Sequence, residues 1–488
     1  MGFHWVDGAV VVAYLVAITL FGARFGKSQR TIHDYFLGGR QLPWWAIAFS
    51  VVSAETSVLT IISTPGIAFN SNLAFLQLVM GYLVARVVVA FVLIPRYFAG
   101  EIYTAYQLIE RRFGKNLRLV TASLFLITRA LAEGVRVFAI SIVIEIVLKT
   151  GVFTSVVIVT ALTLFYTYRG GLTAVVWTDV IQFAIYISGT ALALWIALAA
   201  IPGGWSEVTQ MAAAAGNKFA IFNFTWDYDQ PYLFWSGLIG GAFLSTASHG
   251  TDQLIVQRLL AARSMRDSQK AVIASGVIVF LQFALFLVAG VVLFGFYSLH
   301  PPAEPFLKYD HVFPTFVANH LPIGLAGLVV AAIIAAAMAN LSAALNSLAS
   351  SSIVDFYKPF FRPAEDDQHY LRVSRFATLL WGGVLIVIAL LAQFMHKSVL
   401  ELALTIASVP YGCMLGIFLL GVWTRRVSGT AAALGAVGGL AVLLAFMGLT
   451  AVAWTWYVAI GTVGTFAFGI LASFVLHDEV RASDEGAL

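Results

Sequence analysis

The stretch AAIIAAAMANLSAALNSLASSSIVD, residues 331–355, carries no charge until its last residue and is paved with small side chains. Ala332, Ala335, Ala336, Ala339 and Ala343 recur at helical spacing and form a strip over which another backbone can come very close. Asn340, Ser342, Asn346 and Ser347 lie beside that strip. In a bilayer such strips are how helices commonly pack, and small polar groups on them bond across helices or line a site. Taken alone, the segment reads either as a packing face or as one wall of an ion-and-solute site.

The rest of the chain sets the context. Of 488 residues, 60% are hydrophobic and 11% charged, with a mean hydropathy of +0.90. A soluble core could not hide that much apolar surface. Several nearly uncharged runs reach about 20 residues, enough to cross a hydrocarbon layer of ~30 Å. Only helices or closed barrels span lipid, and continuous apolar runs lack the alternation of a barrel strand. The composition therefore predicts an all-α polytopic membrane protein. The net charge of +4 fits basic cytoplasmic loops and calls for no nucleic acid partner. The single cysteine, Cys413, rules out a disulfide framework or a cysteine metal cluster. No basic region precedes the first apolar run, so Trp5–Ala23 reads as a retained signal anchor.

Thirteen candidate spans follow: 5–23, 44–68, 72–95, 118–148, 152–168, 173–201, 231–257, 271–298, 322–355, 374–395, 399–423, 430–449 and 453–476. Alternate loops hold the basic residues, from Arg24, Lys27, Arg30 and Arg40 through Arg111, Arg112 and Lys115 to Arg425, Arg426 and Arg481. The opposite loops hold little more than Lys149, Lys218, Lys308 and Lys397. This bias predicts an N-terminus outside and a C-terminus in the cytoplasm. The expected organisation is one transmembrane domain over 1–477 and a short polar cytoplasmic tail over 478–488. The connections 202–230 and 299–321 are rich in aromatic, Pro and Asp residues and read as a vestibule or as capping loops.

Ionisable groups inside spans are costly and point to function. The second span contains Ser53-Ala54-Glu55-Thr56-Ser57, a polar interruption, followed by Ser63-Thr64-Pro65-Gly66. The seventh contains Ser245-Thr246-Ala247-Ser248-His249-Gly250-Thr251-Asp252-Gln253. Broken helices in corresponding positions of two halves indicate an inverted-repeat transporter, in which unwound backbone meets ion and substrate. Plain Gly/Ser kinks in a structural bundle are the alternative.

Several motifs now carry a specific resemblance. They are Asp34-Tyr35-Phe36-Leu37-Gly38-Gly39-Arg40, Thr64-Pro65-Gly66, and Gly170-Gly171 with Trp177-Thr178-Asp179 and Gln182. Thr251-Asp252-Gln253 with Val256-Gln257-Arg258, and the Ala-rich stretch ending in Ser342, Asn346 and Ser347, complete the set. The chain resembles the sodium/solute symporter family, which includes sodium-coupled transporters of glucose, proline, sialic acid, iodide and monocarboxylates. The resemblance implies the leucine-transporter fold, a 5+5 inverted repeat over about 44–201 and 231–423 with extra helices at 5–23, 430–449 and 453–476.

It also implies sodium between the broken first core helix and the eighth. Carbonyls of Ser53 and Thr56 would face Ala336, Ala339 and Asn340. The family carries two adjacent hydroxyl residues where this chain has Ala339 and Asn340, and hard cations want oxygen ligands. That departure leaves open a rearranged sodium site, protons as the coupling ion, or an uncoupled uniporter or sensor, with Glu55 as a replacement carboxylate. A second sodium site in some members matches Asp179 and Ser342 but not Ala343. Asp179 otherwise reads as half of a structural salt bridge.

For the solute, Arg129 and Glu133 lie one turn apart and face the same way. Arg129 falls where sialic-acid-type members carry an arginine for the substrate carboxylate, a task suited to a guanidinium. Its alternative is an internal pair with Glu133. Arg136 and Glu145 follow on the same span, and Arg86 either snorkels or pairs with Glu55 or Glu145. Ser57 and Thr60 match polar substrate-side positions, with Gln77 facing them. Ser248 and His249 replace the gating aromatics of sugar transporters, and no sugar-binding lysine appears near Val279, so a glucose-like ligand is disfavoured. His249 reads as a solute ligand, a proton shuttle or a satisfied interior histidine. The resulting expectation is sodium-coupled symport of a small carboxylate or sugar acid. It would be carried out by a monomer in a plasma or bacterial inner membrane. An enzyme would need a nucleophile or metal cluster, and a channel a repeated filter; neither pattern is present.

Overall fold

The computed structural model describes residues 4–148, 151–302, 305–306, 308–392, 394 and 399–476. The expected tail 478–488, Lys149, Lys397 and the side chain of Glu145 lie outside the described residues. Among the described residues, fourteen long or paired helices build the bundle. They are α1 Trp5–Ala23, α2 Trp44–Glu55, α3 Val58–Asn70, α4 Leu76–Val88, α5 Lys115–Leu148, α6 Val152–Ala199 and α7 Phe234–Gly250. The second half adds α8 Gln253–Leu260, α9 Met265–Leu299, α10 Leu325–Ser351, α11 Asp367–Ala392, α12 Val399–Trp423, α13 Gly429–Leu449 and α14 Tyr457–Val475. Among the described residues there is no β-strand, only a lone bridge between Leu42 and Ala262.

The Ala-rich helix α10 is the axis. Every residue from Val329 to Ser351 is buried. It packs along α6 and α1 and touches α2, α5 and α11. Small residues make this possible: a Cβ placed on Gly189 of α6 would lie only 2.8 Å from the Ala332 Cβ. The entry of α10 is capped from a distant part of the chain, since the N–H groups of Gly324 and Gly327 donate to Asp7 Oδ1 at 2.7 and 2.9 Å. A carboxylate suits the partial positive charge of a helix N-terminus. Around this axis α4 packs along α7, α2 and α3 lie on α9, α5 meets α11 and α12, and α13 pairs with α14.

Among the described residues, eight helical runs are long and apolar enough to cross a membrane, or nine if the bent pair α2–α3 is one span. Physical features explain why this differs from thirteen. Helix α5 carries Arg129, Glu133 and Arg136 and is too charged for an apolar window. The expected spans 152–168 and 173–201 form one 48-residue element, α6, that turns at Gly171 (φ 52°, ψ −151°). The seventh expected span is divided into α7 and α8.

Gly171 has no room for a side chain, because a Cβ there would lie 2.5 Å from the Tyr35 carbonyl oxygen. Its backbone angles are also essentially reserved for glycine, a strain of order 1–3 kcal/mol for other residues. Gly171→Ala should therefore lower the melting temperature of the purified protein by several degrees. Thr173→Ala nearby should leave it unchanged, and differential scanning fluorimetry of the two variants measures the contrast.

Candidate ion and solute site

Helix α2 stops at Glu55 and α3 restarts at Val58, with a bend of 71°. Two features make the break. Thr56 is extended (φ −77°, ψ 115°), and Ser57 caps α3 through a reciprocal pairing with Thr60. Thr60 N–H donates to Ser57 Oγ at 3.4 Å and Ser57 N–H to Thr60 Oγ1 at 3.3 Å, the arrangement of a capping box. The break also frees carbonyls, and in a dry interior these need donors. Asn340 Nδ2 on α10 donates to the Ala54 carbonyl at 2.7 Å.

The second break falls at Thr251-Asp252. Asp252 caps α8, its Oδ1 accepting from Leu254 N–H at 2.9 Å. Its other oxygen, Oδ2, pairs with Arg129 and accepts from the Tyr411 hydroxyl at 2.6 Å. The short helix α8 is then clamped by its own polar residues. Gln253 takes Ala105 N–H and donates to the Tyr103 carbonyl, both at 2.9 Å. Gln257 donates to the Phe36 carbonyl at 2.8 Å and to Asn346 Oδ1 at 2.5 Å. Arg258, fully buried, donates to Ser50 Oγ at 2.9 Å and to Asp179 Oδ2 at 3.1 Å.

A cavity of about 150 Å³ lies between the two breaks, bordered by Glu55, Arg129, Arg136, Ser248, His249 and Tyr411 among others. Arg129 donates to Glu133 Oε1 at 3.0 Å as well as to Asp252 and Tyr411. Arg136 shares Glu133 Oε1 at 2.6 Å and lies 3.4 Å from Asn340 Oδ1. On the other wall Arg86 Nη2 donates to Glu55 Oε2 at 2.7 Å and its Nη1 to Ser245 Oγ at 2.6 Å. His249 Nε2 lies 3.4 Å from that same Glu55 oxygen.

These placements sort the residues singled out in the sequence. Glu55, Arg129, Ser248 and His249 border the cavity. Ser57 and Glu133 instead line a neighbouring void of about 20 Å³ with Arg136 and Asn340. Thr60 is spent on the cap. Gln77 does not face Ser57 and Thr60: it donates to the Tyr232 and Ala74 carbonyls at 2.9 and 3.3 Å and accepts from Asn223 N–H at 3.0 Å. A long amide near a chain reversal ties the loop at 219–232 and leaves the cavity. Arg86 takes the Glu55 pairing, and Arg129 takes both the Glu133 pair and a second partner.

Sequence reasoning passed over Tyr82, Tyr411 and Trp454, which also border the cavity, and gave Arg136 and Asp252 no role. For Arg136 a signal existed, because Arg129, Glu133 and Arg136 stand at i, i+4 and i+7 on one helix face.

The two candidate cation sites differ in chemistry. At the first, Thr56 Oγ1 donates to the Val52 carbonyl at 2.7 Å and accepts from Gln282 Nε2 at 2.8 Å. Ala336 and Ala339 are bare and fully buried. Asn340 turns its donor, not its oxygen, to the Ala54 carbonyl. At the second, Asp179 Oδ2 is bonded by Ser50 and Arg258, while Asp179 Oδ1, Gln182 Oε1 and Ser53 Oγ have no hydrogen-bond partner among the described residues. Tyr166 faces Gln182, Thr178 and Ser342 there, and Ser342 Oγ donates to the Ala339 carbonyl at 3.0 Å.

A helical bundle whose ionisable groups gather round a cavity between two broken helices has the architecture of a multi-pass membrane transporter. The chain belongs to the sodium:solute symporter family, which residues 35–442 match. It is 29% identical over 483 residues to the sodium/sialic acid symporter NanT of Aliivibrio fischeri, covering 97% of this chain and 94% of that one. It is 28% identical over 441 residues to the human sodium-coupled monocarboxylate transporter 1, covering 90% and 71% respectively. A solved structure of a Na+-coupled sialic acid symporter, in a substrate-bound outward-open state, matches with a TM-score of 0.88 at 26% identity, over 97% of this chain and 98% of that one.

Removing one partner of a buried ion pair costs about 3–5 kcal/mol, while replacing both often costs little. Arg258→Met should therefore depress the melting temperature strongly. The double variant Arg258→Met/Asp179→Asn should recover most of the loss, as thermal melts of the three proteins would reveal.

Proposed function

We propose that this protein is a secondary active symporter that couples sodium entry to uptake of a small organic carboxylate or sugar acid by alternating access. The observation that carries the reading is the cavity joining two interrupted helices, with the guanidinium groups of Arg129 and Arg136 on its wall. A guanidinium suits bidentate carboxylate recognition. The relatives named above transport sialic acid and monocarboxylates with sodium. Proton coupling and uncoupled transport find no support among those relatives.

Sodium sits, in this proposal, at Asp179 and Ser342, with Gln182 and Ser53 adding oxygens. Support comes from the partnerless buried oxygens there, the donor set a hard cation takes. The set of Ser53, Thr56, Ala336, Ala339 and Asn340 is less favoured, because Ala336 and Ala339 supply no side-chain oxygen, the Asn340 amide donates to the Ala54 carbonyl and the Asn340 oxygen is approached by Arg136. Solute enters near the bilayer midplane, and two repeats, 44–201 and 231–423, rock around it. Thirteen spans with the N-terminus outside and the tail in the cytoplasm agree with the basic-loop bias. A monomer in a plasma or bacterial inner membrane completes the reading.

Coupling requires that sodium stabilise one state differentially. Purified protein titrated with sodium chloride against choline chloride should melt higher, by an amount equivalent to about 2.7 kcal/mol at a hundredfold excess over Kd. Asp179→Asn should abolish that rise and Asn340→Ala should leave it; the opposite pattern would move the ion to the other site. For the solute, hydrogen bonds to charged groups are worth about 1.5–3 kcal/mol. Arg129→Gln should thus weaken sodium-driven carboxylate uptake into proteoliposomes by roughly ten- to a hundredfold.

A further inference from the structure

The cavity has two unlike poles. Arg129 and Arg136 form the donor pole assigned above to a carboxylate, and Glu55 forms the other. Both protein partners of Glu55 fall on one oxygen: Arg86 donates to Oε2 at 2.7 Å and His249 Nε2 lies 3.4 Å from it. Among the described residues no hydrogen bond reaches Oε1, and the side chain keeps 21% of its surface. Arg86 is itself held from behind by Ser245 and is 1% exposed, so it fixes the carboxylate without reaching past it. On the same wall Ser248 Oγ is 2.8 Å from His249 Nδ1, which keeps the imidazole turned towards Glu55. The result is a carboxylate on the cavity wall with one oxygen that accepts no hydrogen bond among the described residues.

We propose that Glu55 Oε1 is the subsite for an ammonium group, and that the transported solute is a compact zwitterion with its carboxylate at the Arg129 side. This rests on the carboxylate reading under Proposed function and adds a second charged pole to it. An anion with no donor would place negative charge against Glu55, whereas an ammonium there makes a charge-assisted bond. Size narrows the class further. A cavity of about 150 Å³ is comparable to one that holds benzene, itself about 150 Å³. A cavity of this size suits a solute whose carboxylate and ammonium are a few bonds apart, as in α-, β- or γ-amino acids.

The test is thermal-shift titration of the purified full-length protein in sodium buffer. The probes are the proteinogenic amino acids, β-alanine and 4-aminobutyrate, each beside the desamino and hydroxy acid of equal length, with N-acetylneuraminate included. At least one amino acid should protect, with an apparent Kd tenfold or more below its desamino and hydroxy counterparts. Glu55→Gln should erase that preference; if the variant does not fold, the wild-type ratios still decide. Equal protection by the desamino or hydroxy acid, protection by N-acetylneuraminate alone, or protection by no amino acid in the set would overturn the proposal. So would a Glu55→Gln protein that keeps the preference and changes only its sodium requirement. Desamino acids protecting only in sodium would sink the ammonium subsite and leave the symport reading standing. Amino acids protecting equally in choline would do the reverse.

Discussion

A helix interrupted inside a hydrocarbon layer exposes carbonyl and amide groups that water is not there to satisfy, and each one left alone costs several kcal/mol. This constraint shapes the molecule. At the first interruption the freed Ala54 carbonyl is met by the Asn340 amide from α10, and Ser57 and Thr60 cap each other at the restart. At the second, Asp252 caps α8 and Tyr97 donates to the Gly250 carbonyl. The alanine strip matters because of this need: only a helix with almost no side chain can bring a short amide within bonding distance of a neighbour's backbone.

The same constraint governs charge. Arg86, Arg129 and Arg258 are all nearly buried, and each is tied to a carboxylate from another helix or helix break. Pairs of this kind stabilise little relative to a well-packed apolar substitute, but they are costly to break singly. They work as registers: Arg258 holds α8 to α2 and α6 through Ser50 and Asp179, and Arg129 holds α5 to the second break and to Tyr411 of α12. A transporter that rocks between states has to exchange such bonds in whole sets, which favours discrete conformations over continuous deformation.

The two candidate ion sites make a related point about substitution. Replacing a pair of hydroxyls with Ala339 and Asn340 does more than subtract ligands, because the amide brings its own donors and a guanidinium stands behind it. At one candidate site the amide makes a hydrogen bond within the protein, while unpaired oxygen remains at Asp179, Gln182 and Ser53. In the proposed scheme one buried carboxylate takes over the coupling ion, and the break itself is braced by protein alone.

Much was legible in the residues themselves. The long apolar runs, the alanine strip and the polar interruptions at Ser53–Ser57 and Ser245–Gln253 follow from local composition and period, and the helices stop at both interruptions. Family motifs were equally readable, since they are short strings. What the string left open was pairing. It offered Arg86 two acids and Arg129 a neighbour on its own helix, and it sent Gln77 to a cavity it does not border. It gave no role to Asp252 or Tyr411, which are 123 and 282 residues from Arg129 in the chain. The reason is physical: whether a segment prefers to be a helix in lipid is decided by its own side chains. Which donor meets which acceptor depends on how helices distant in sequence rotate and approach, and only the packed bundle sets that.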